Sequence, residues 1–186
     1  MTPTINHIND LVDRCREGDQ RAQMQVYDRY YKAMYNTAFR ITGHSAEAED
    51  IMQEAFLSAF TKIDSFHGNS TFGAWLKRIV VNESITAYNK SVKLGEVRYN
   101  DELKNEADDT GVALAENEKA SKKVQKILKA INLLKSNYRL GLTLHLIEGY
   151  DYEEICEIMD ISYANCRTMI SRAKESLRKK LEKDGK

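Results

Sequence analysis

The chain has 186 residues, enough for one ordinary domain or two small ones. Its 28 basic and 28 acidic residues leave no net charge, which argues against a protein that coats nucleic acid through overall positive charge. A single proline and many helix-forming residues predict an all-α fold. No apolar run approaches the about 20 residues of a membrane helix, and no signal peptide is recognisable, so we expect a cytoplasmic protein without membrane contact of its own.

Cys15, Cys156 and Cys166 match no zinc or redox spacing. They fall in apolar helical stripes, which predicts buried side chains in a reducing compartment. The sequence also shows no metal-ligand spacing, no nucleophile–base pair and no glycine-rich phosphate loop. We therefore expect no metal, no cofactor and no catalytic residue.

The first helical block spans residues 8–90. Asp19 and Ser45 are predicted to cap its second and third helices, and Gly43 to end the second. Apolar residues at helical spacing predict the buried faces of the first two helices. These residues are Ile8, Leu11, Val12 and Cys15 in the first helix, and Tyr27, Tyr31, Met34 and Ala38 in the second.

The third helix has a pronounced acidic face. The stretch AEAEDIMQE contains four acids and no base. This face is either solvated or a docking surface for a basic partner, and composition alone leaves both interpretations open. The acidic face comprises Glu47, Asp50, Gln53 and Glu54, whereas Ala48, Ile51, Ala55, Ala59 and Phe60 are predicted to point inward.

The segment FHGNSTFGAWLKRIVVN, residues 66–82, combines aromatic, short polar and basic residues in a loop followed by a helix from about Thr71; we call its first part, up to Thr71, the aromatic-basic loop. Aromatic rings beside cations suit single-stranded nucleic acid, because rings hold bases while cations hold phosphates. The alternative is that Phe72, Trp75 and Leu76, at helical spacing, belong to a helical core.

An acidic segment over residues 91–119 is predicted to be a flexible linker, since it has too little apolar surface to order itself. The second block, residues 120–183, contains four predicted helices. Val124, Ile127, Leu128, Ile131 and Leu134 line the first; the others cover Leu140–Ile147, Tyr152–Met159 and a long helix from Tyr163 towards Leu181.

The last two helices have helix-turn-helix spacing, with a turn at Asp160, Ile161 and Ser162. Aspartate tolerates the left-handed backbone that such a turn needs, and Ser162 can cap the final helix. A stripe of Cys166, Ile170, Ala173, Leu177 and Leu181 must be buried, which leaves small polar and basic residues on the opposite side, suited to the DNA major groove.

The motifs AEDIMQEAF, FHGNSTFGAWLKRIVVN and EGYDYEEICEIMDISYANCRTMISRAKESLRKKL resemble, in order and spacing, those of extracytoplasmic-function sigma factors of the sigma-70 family. The resemblance implies a sigma-2-like bundle and a sigma-4-like helix-turn-helix domain. It implies that the chain directs RNA polymerase to promoters. The implied partners are core RNA polymerase (the clamp helices of its largest subunit and the flap of the second), promoter DNA and an anti-sigma factor.

The resemblance also implies roles for individual residues. Asp50, Gln53 and Glu54 would dock on core polymerase. The loop His67, Gly68, Asn69, Ser70 and Thr71 would capture a flipped base of the −10 element, with Trp75, Arg78 and Asn82 supporting it. The −35 element would be bound by Tyr163, Ala164, Asn165, Arg167, Thr168, Ser171, Arg172 and Lys174.

Three positions depart from the family pattern. Lys135 follows Leu134 where the family usually has proline, Asp160 replaces a glycine, and Met169 replaces a residue that is often basic. Two other functions compete with a sigma factor: a regulator that binds duplex DNA only, and a helical enzyme or scaffold with an incidental basic tail. A duplex-only regulator would need neither the acidic face nor the aromatic-basic loop.

Overall fold

The computed structural model describes residues 3–93 and 118–183 of the chain. Within these two ranges all regular structure is helical, as the sequence predicts. The chain divides into two compact units, one on either side of residue 98, which we call the first and the second unit. Neither range contains a helix with both the length and the hydrophobicity needed to cross a membrane.

The first unit is a helical bundle built around its second helix. Helix α2 packs against α1, α3 and α4, and α3 also packs against α4. A short 3-10 turn, Ile63–Ser65, leads from α3 into the aromatic-basic loop. The four helices are α1 (Pro3–Arg16), α2 (Gln20–Thr42), α3 (Ser45–Thr61) and α4 (Phe72–Lys93).

The helix ends of the first unit follow the sequence closely, with one error. Asp19 caps α2 by accepting hydrogen bonds from the backbone N–H groups of Arg21 and Ala22. Gly43 ends α2 in the left-handed conformation, at φ 78°. The predicted cap at Ser45 is wrong: Ser45 is the first residue of α3, and His44 precedes it without a side-chain capping bond.

The core of the first unit contains most of the predicted apolar residues. Tyr31 is an exception, because it is 43% exposed and stacks on the half-buried Tyr27 at a centroid distance of 5.7 Å. Two tyrosines therefore extend the predicted face of α2 to the surface. The predicted residues that are buried are Ile8, Leu11, Val12, Cys15, Met34, Ala38, Ala48, Ile51, Ala55 and Ala59.

The second unit packs its helices around the final one. The helices are α5 (Glu118–Asn132), α6 (Ser136–Leu142), α7 (Tyr152–Met159) and α8 (Tyr163–Lys183), and α8 contacts the other three. Instead of one regular helix over 140–147, the backbone widens into a π-type turn at Thr143–Ile147 after α6 ends. Gly149 then turns the chain at φ 82°.

Burial along α5 differs from the sequence prediction. Ile131 and Leu134 are buried, but Val124 and Ile127 are 55% and 40% exposed. The amphipathic pattern of α5 is real, yet only its last turn and the residues after it reach the core of the second unit. Most of the predicted linker, residues 94–117, lies outside the described residues; its ends at 91–93 and 118–119 are helical.

The three cysteines are free thiols. Cys15 and Cys166 are buried as predicted, whereas Cys156 is half-buried. Burial raises the pKa of the Cys166 thiol to about 11, so it stays protonated and unreactive at neutral pH.

Candidate nucleic-acid and polymerase interfaces

Local capping interactions define where the two helices of the helix-turn-helix in the second unit begin and end. Asp151 starts α7 with a capping box: its carboxylate accepts the Glu154 N–H at 2.8 Å, and the Glu154 carboxylate accepts the Asp151 N–H at 3.0 Å. Asp160 ends α7 at φ 52° and ψ 52°, the left-handed conformation that the sequence predicts. The Ser162 hydroxyl then accepts the Asn165 N–H at 3.3 Å, at the start of α8.

The buried side of α8 fixes which side of this helix faces solvent. Cys166, Ile170 and Ala173 are fully buried and Leu177 nearly so, whereas Leu181 is half-buried. The side chains on the remaining surface of the first three turns are open to solvent, as major-groove contact requires. The predicted −35 residues that are exposed are Tyr163, Ala164, Asn165, Arg167, Thr168, Ser171 and Arg172.

Lys174 lies apart from these seven. It is half-buried and lines an apolar groove with Leu146, Leu177 and Leu181, together with Arg178 and Glu182. The groove has a volume of about 560 Å³, and Leu146 at its edge is 50% exposed. Sequence reasoning missed the groove, because Leu146 comes from the π-type turn and joins α8 only in the folded unit.

Met169, one of the three departures from the family pattern, packs against Gly141. A Cβ atom on Gly141 would lie 2.8 Å from the Met169 methyl group and 3.0 Å from Ile170 Cδ1. The absence of a side chain at Gly141 therefore lets α8 lie close to α6. Met169 acts in this contact, where a basic side chain could not be buried without cost.

In the first unit, an aromatic cluster anchors the aromatic-basic loop. The Phe66 ring is buried and lies 5.5 Å from the ring centroids of both Phe72 and Trp75. The Tyr30 ring of α2 also packs on Phe72, at a centroid distance of 5.7 Å. The core interpretation is thus correct for Phe72 and Leu76, whereas Trp75 is half-buried and belongs to the ring cluster next to the loop.

All five residues from His67 to Thr71 are exposed. Gly68 adopts φ 76°, a left-handed backbone conformation that glycine takes at no steric cost. The Thr71 hydroxyl accepts the Ala74 N–H at 3.2 Å, so Thr71 also caps α4. Arg78 and Asn82 are exposed and lie three and seven residues after Trp75, which aligns all three along one side of α4.

The acidic face of α3 is presented to solvent. Asp50, Gln53 and Glu54 are exposed, and the Gln53 amide donates to the Glu49 carboxylate at 3.4 Å. Sequence reasoning missed Glu83 of α4. Burial raises the pKa of Glu83, and the negative charge of Glu54 raises it further. The second effect indicates that the Glu83 carboxyl group lies close to the acidic face.

No cluster of three or more histidine, cysteine or carboxylate side chains in the described ranges is arranged to hold a metal ion. The candidate surfaces in these ranges are an exposed polar helix, an aromatic-anchored loop and an acidic face.

Both units match models of known protein families. The family model of sigma-70 region 2 matches residues 26–93, and that of sigma-70 region 4 matches residues 124–177. The ECF RNA polymerase sigma-E factor of Escherichia coli K12 is 34% identical over 92% of this chain and 93% of its own length. The protein of that name in Haemophilus influenzae is 33% identical over 92% and 94%.

Two solved structures share the fold. The sigma factor RpoE of Bartonella quintana, in complex with the anti-sigma factor NepR, matches with a TM-score of 0.55 and 26% identity, over 86% of this chain and 96% of the other. CnrH in complex with the cytosolic domain of CnrY matches with a TM-score of 0.54 and 22% identity, over 94% and 96%. The chain therefore belongs to the sigma-70 family as an extracytoplasmic-function RNA polymerase sigma factor, a non-enzymatic subunit that binds core polymerase and promoter DNA to start transcription.

Proposed function

We propose that the two units divide promoter recognition between them. Residues 8–90 dock on core polymerase and hold the melted −10 element, residues 120–183 bind the −35 element, and residues 91–119 link the two. The observation that carries this division is that each unit presents its own exposed set of nucleic-acid-binding side chains on a buried, locally capped scaffold.

The −35 element is bound by α8. Asn165, Thr168 and Arg172 lie three and four residues apart on the solvent side, so they enter the major groove together. Arginine and asparagine contact base edges, while the hydroxyl groups of threonine and serine reach phosphates. Lys174 contributes less than the other predicted residues, since its aliphatic part is used in the apolar groove.

The −10 element is held by loop 67–71. Exposed amide, hydroxyl and imidazole groups can bond to an unstacked base, and the ring cluster beneath keeps the loop in place. Arg78 and Asn82, aligned with Trp75 along α4, extend the surface along the strand.

Two surfaces dock on polymerase. The exposed carboxylates and amide of the acidic face, Asp50, Gln53 and Glu54, bind the clamp helices of the largest subunit. The apolar groove of the second unit accepts the flap of the second subunit, and its exposed leucine, Leu146, supplies apolar contact area.

The chain acts in the cytoplasm, where it meets core polymerase, and an anti-sigma factor holds it inactive. The relative from Bartonella quintana is described in complex with an anti-sigma factor, and that fold is shared here. The exposed apolar residues Val124, Ile127 and Leu133 of the second unit offer further contact surface for such a partner.

The test of this proposal is run-off transcription with purified core polymerase on a library of randomised promoters. We expect transcripts only when the chain is added, from templates that share two separated conserved elements. Transcripts that required one element alone would contradict the division between the units.

Glu83, beside the acidic face, allows a separate prediction about how the stability of the first unit depends on pH. Because folding raises the pKa of Glu83, the folded state retains its proton at pH values where the unfolded state has lost it. Its contribution to stability is thus greatest below the unfolded pKa and declines as the pH rises through the folded pKa. Glu83→Gln should remove this decline and stabilise the first unit at pH 8 by a few tenths of a kcal/mol, since solvent screens this partly exposed group.

Urea unfolding at pH 5 and pH 8, followed by Trp75 fluorescence, measures the effect of Glu83→Gln. Trp75 is the only tryptophan of the sequence, so its signal reports the first unit. Glu17→Gln, at an exposed glutamate, is the control and should leave the difference between the two pH values unchanged. A Glu83→Gln variant no more stable than the parent at pH 8 would contradict the electrostatic argument.

A further inference from the structure

Helix α1 contacts the start of loop 67–71 through a side chain that the sequence motifs do not include. The guanidinium of Arg16, the last residue of α1, donates to the carbonyl oxygen of Phe66 across 50 residues of sequence. A second nitrogen of the same guanidinium donates to Asp13 Oδ1 at 2.6 Å, one turn earlier on α1. The carboxylate thus orients the guanidinium, and the guanidinium holds the carbonyl.

Phe66 is the point where the chain leaves the core. Its ring is fixed by Phe72 and Trp75, and its N–H donates to the Ile63 carbonyl at 3.1 Å. The Phe66 carbonyl belongs to the peptide group that carries the His67 N–H, and a peptide group is planar. A hydrogen bond to this carbonyl therefore sets the direction in which the exposed loop starts.

Asp13, Arg16, Phe66 and His67 also line one open cleft of about 500 Å³ between α1 and the loop. The side chain of Arg16 is 34% exposed, and that of Asp13 is 66% exposed. The pair thus lies at the surface beside the loop, where its loss would leave no cavity in the core of the first unit.

We propose that Arg16 is a positioning residue for the loop that captures the −10 base. This inference rests on the proposed role of loop 67–71. Arg16 acts through the Phe66 carbonyl and fixes the path of residues 67–71 before DNA arrives, so the loop loses less conformational freedom on binding.

Arg14 supplies a matched control on the same helix. Its guanidinium pairs with Asp19 at 2.6 Å, as Arg16 pairs with Asp13, but its bonds are to the cap of α2. Arg14→Ala and Arg16→Ala therefore each remove one positive charge and one surface ion pair from α1. Arg16→Ala alone removes a bond to the residue that immediately precedes loop 67–71.

The experiment uses holoenzyme assembled from core polymerase and each full-length variant. The probe is the single-stranded non-template −10 sequence recovered from the promoter library, and fluorescence anisotropy measures its affinity. Arg16→Ala should weaken strand binding by about tenfold, the scale of one charge-assisted hydrogen bond. Arg14→Ala should leave strand affinity unchanged, and Arg16→Lys, which can still donate to the carbonyl, should recover part of the loss.

Binding of core polymerase and of −35 duplex should be equal in all four proteins, and so should the salt dependence of strand affinity. A smaller salt slope for Arg16→Ala would overturn the proposal, because it would mean that Arg16 contacts a phosphate itself. Equal strand affinity of Arg16→Ala and the parent would also overturn it, and so would a parallel loss of all three binding activities. If the parent holoenzyme did not bind the strand, the proposed function of the loop would fail first.

Discussion

Asp50→Lys is expected to weaken association with core polymerase by at least about 100-fold while leaving the first unit folded. The side chain of Asp50 is exposed in the middle of the acidic face, so its replacement disturbs no packing. A lysine at this position places like charges opposite a basic partner, and such a contact costs several kcal/mol. Pull-down with purified core polymerase at fixed salt measures the loss, because screening changes these contacts.

The control for this charge reversal is Asp10→Lys, at an exposed aspartate of α1. It changes the net charge equally but lies outside the acidic face, so it should retain normal binding. Retention of core polymerase by Asp50→Lys at the level of Asp10→Lys would reject the docking role of α3.

Arg172→Ala is expected to weaken specific binding to −35 duplex by about 1–3 kcal/mol if the guanidinium bonds to a base, and to relax the preference at that base pair. Arg172 is exposed on the solvent side of α8, in line with Asn165 and Thr168. The measurement is the affinity of the chain for the −35 sequence and for each single-base variant of it, at one salt concentration.

Arg178→Ala is the matched control on α8. Arg178 forms an ion pair with Glu175 at 2.7 Å and lines the apolar groove, away from the line of Arg172. It should leave −35 specificity unchanged. Equal loss by Arg172→Ala for every sequence, with a salt slope smaller by about one, would reassign Arg172 to a phosphate. Unchanged affinity would remove it from the interface.

The parts of the fold that were predictable are those that depend on neighbouring residues. The Asp19 cap, the left-handed Asp160 and the buried stripe of α8 follow from spacing and side-chain chemistry within a few residues. The errors come from tertiary context. Val124 and Ile127 have a core-like pattern but are exposed, because none of the other helices described in the second unit covers that end of α5.

For the candidate interfaces, too, the local features were predictable and the contacts between distant residues were not. Because the buried stripe of α8 could be recognised from its spacing, the seven exposed positions proposed to bind the −35 element could be selected in advance. The Arg16 bond to Phe66 and the proximity of Glu83 to Glu54 could not be predicted, because each joins residues that are distant in sequence. The position of Lys174 in the apolar groove could not be predicted either, since this groove forms only when the π-type turn meets α8.

The backbone at Asp160 limits which residues the corner between α7 and α8 can accept. At φ 52° a β-branched side chain would collide with its own main chain, so glycine, asparagine and aspartate are the tolerated choices. A motif pattern that demands glycine at this corner would pass over proteins like this one. A pattern that accepts any of the three residues would retrieve them. Randomisation of position 160 should likewise return only glycine, asparagine and aspartate.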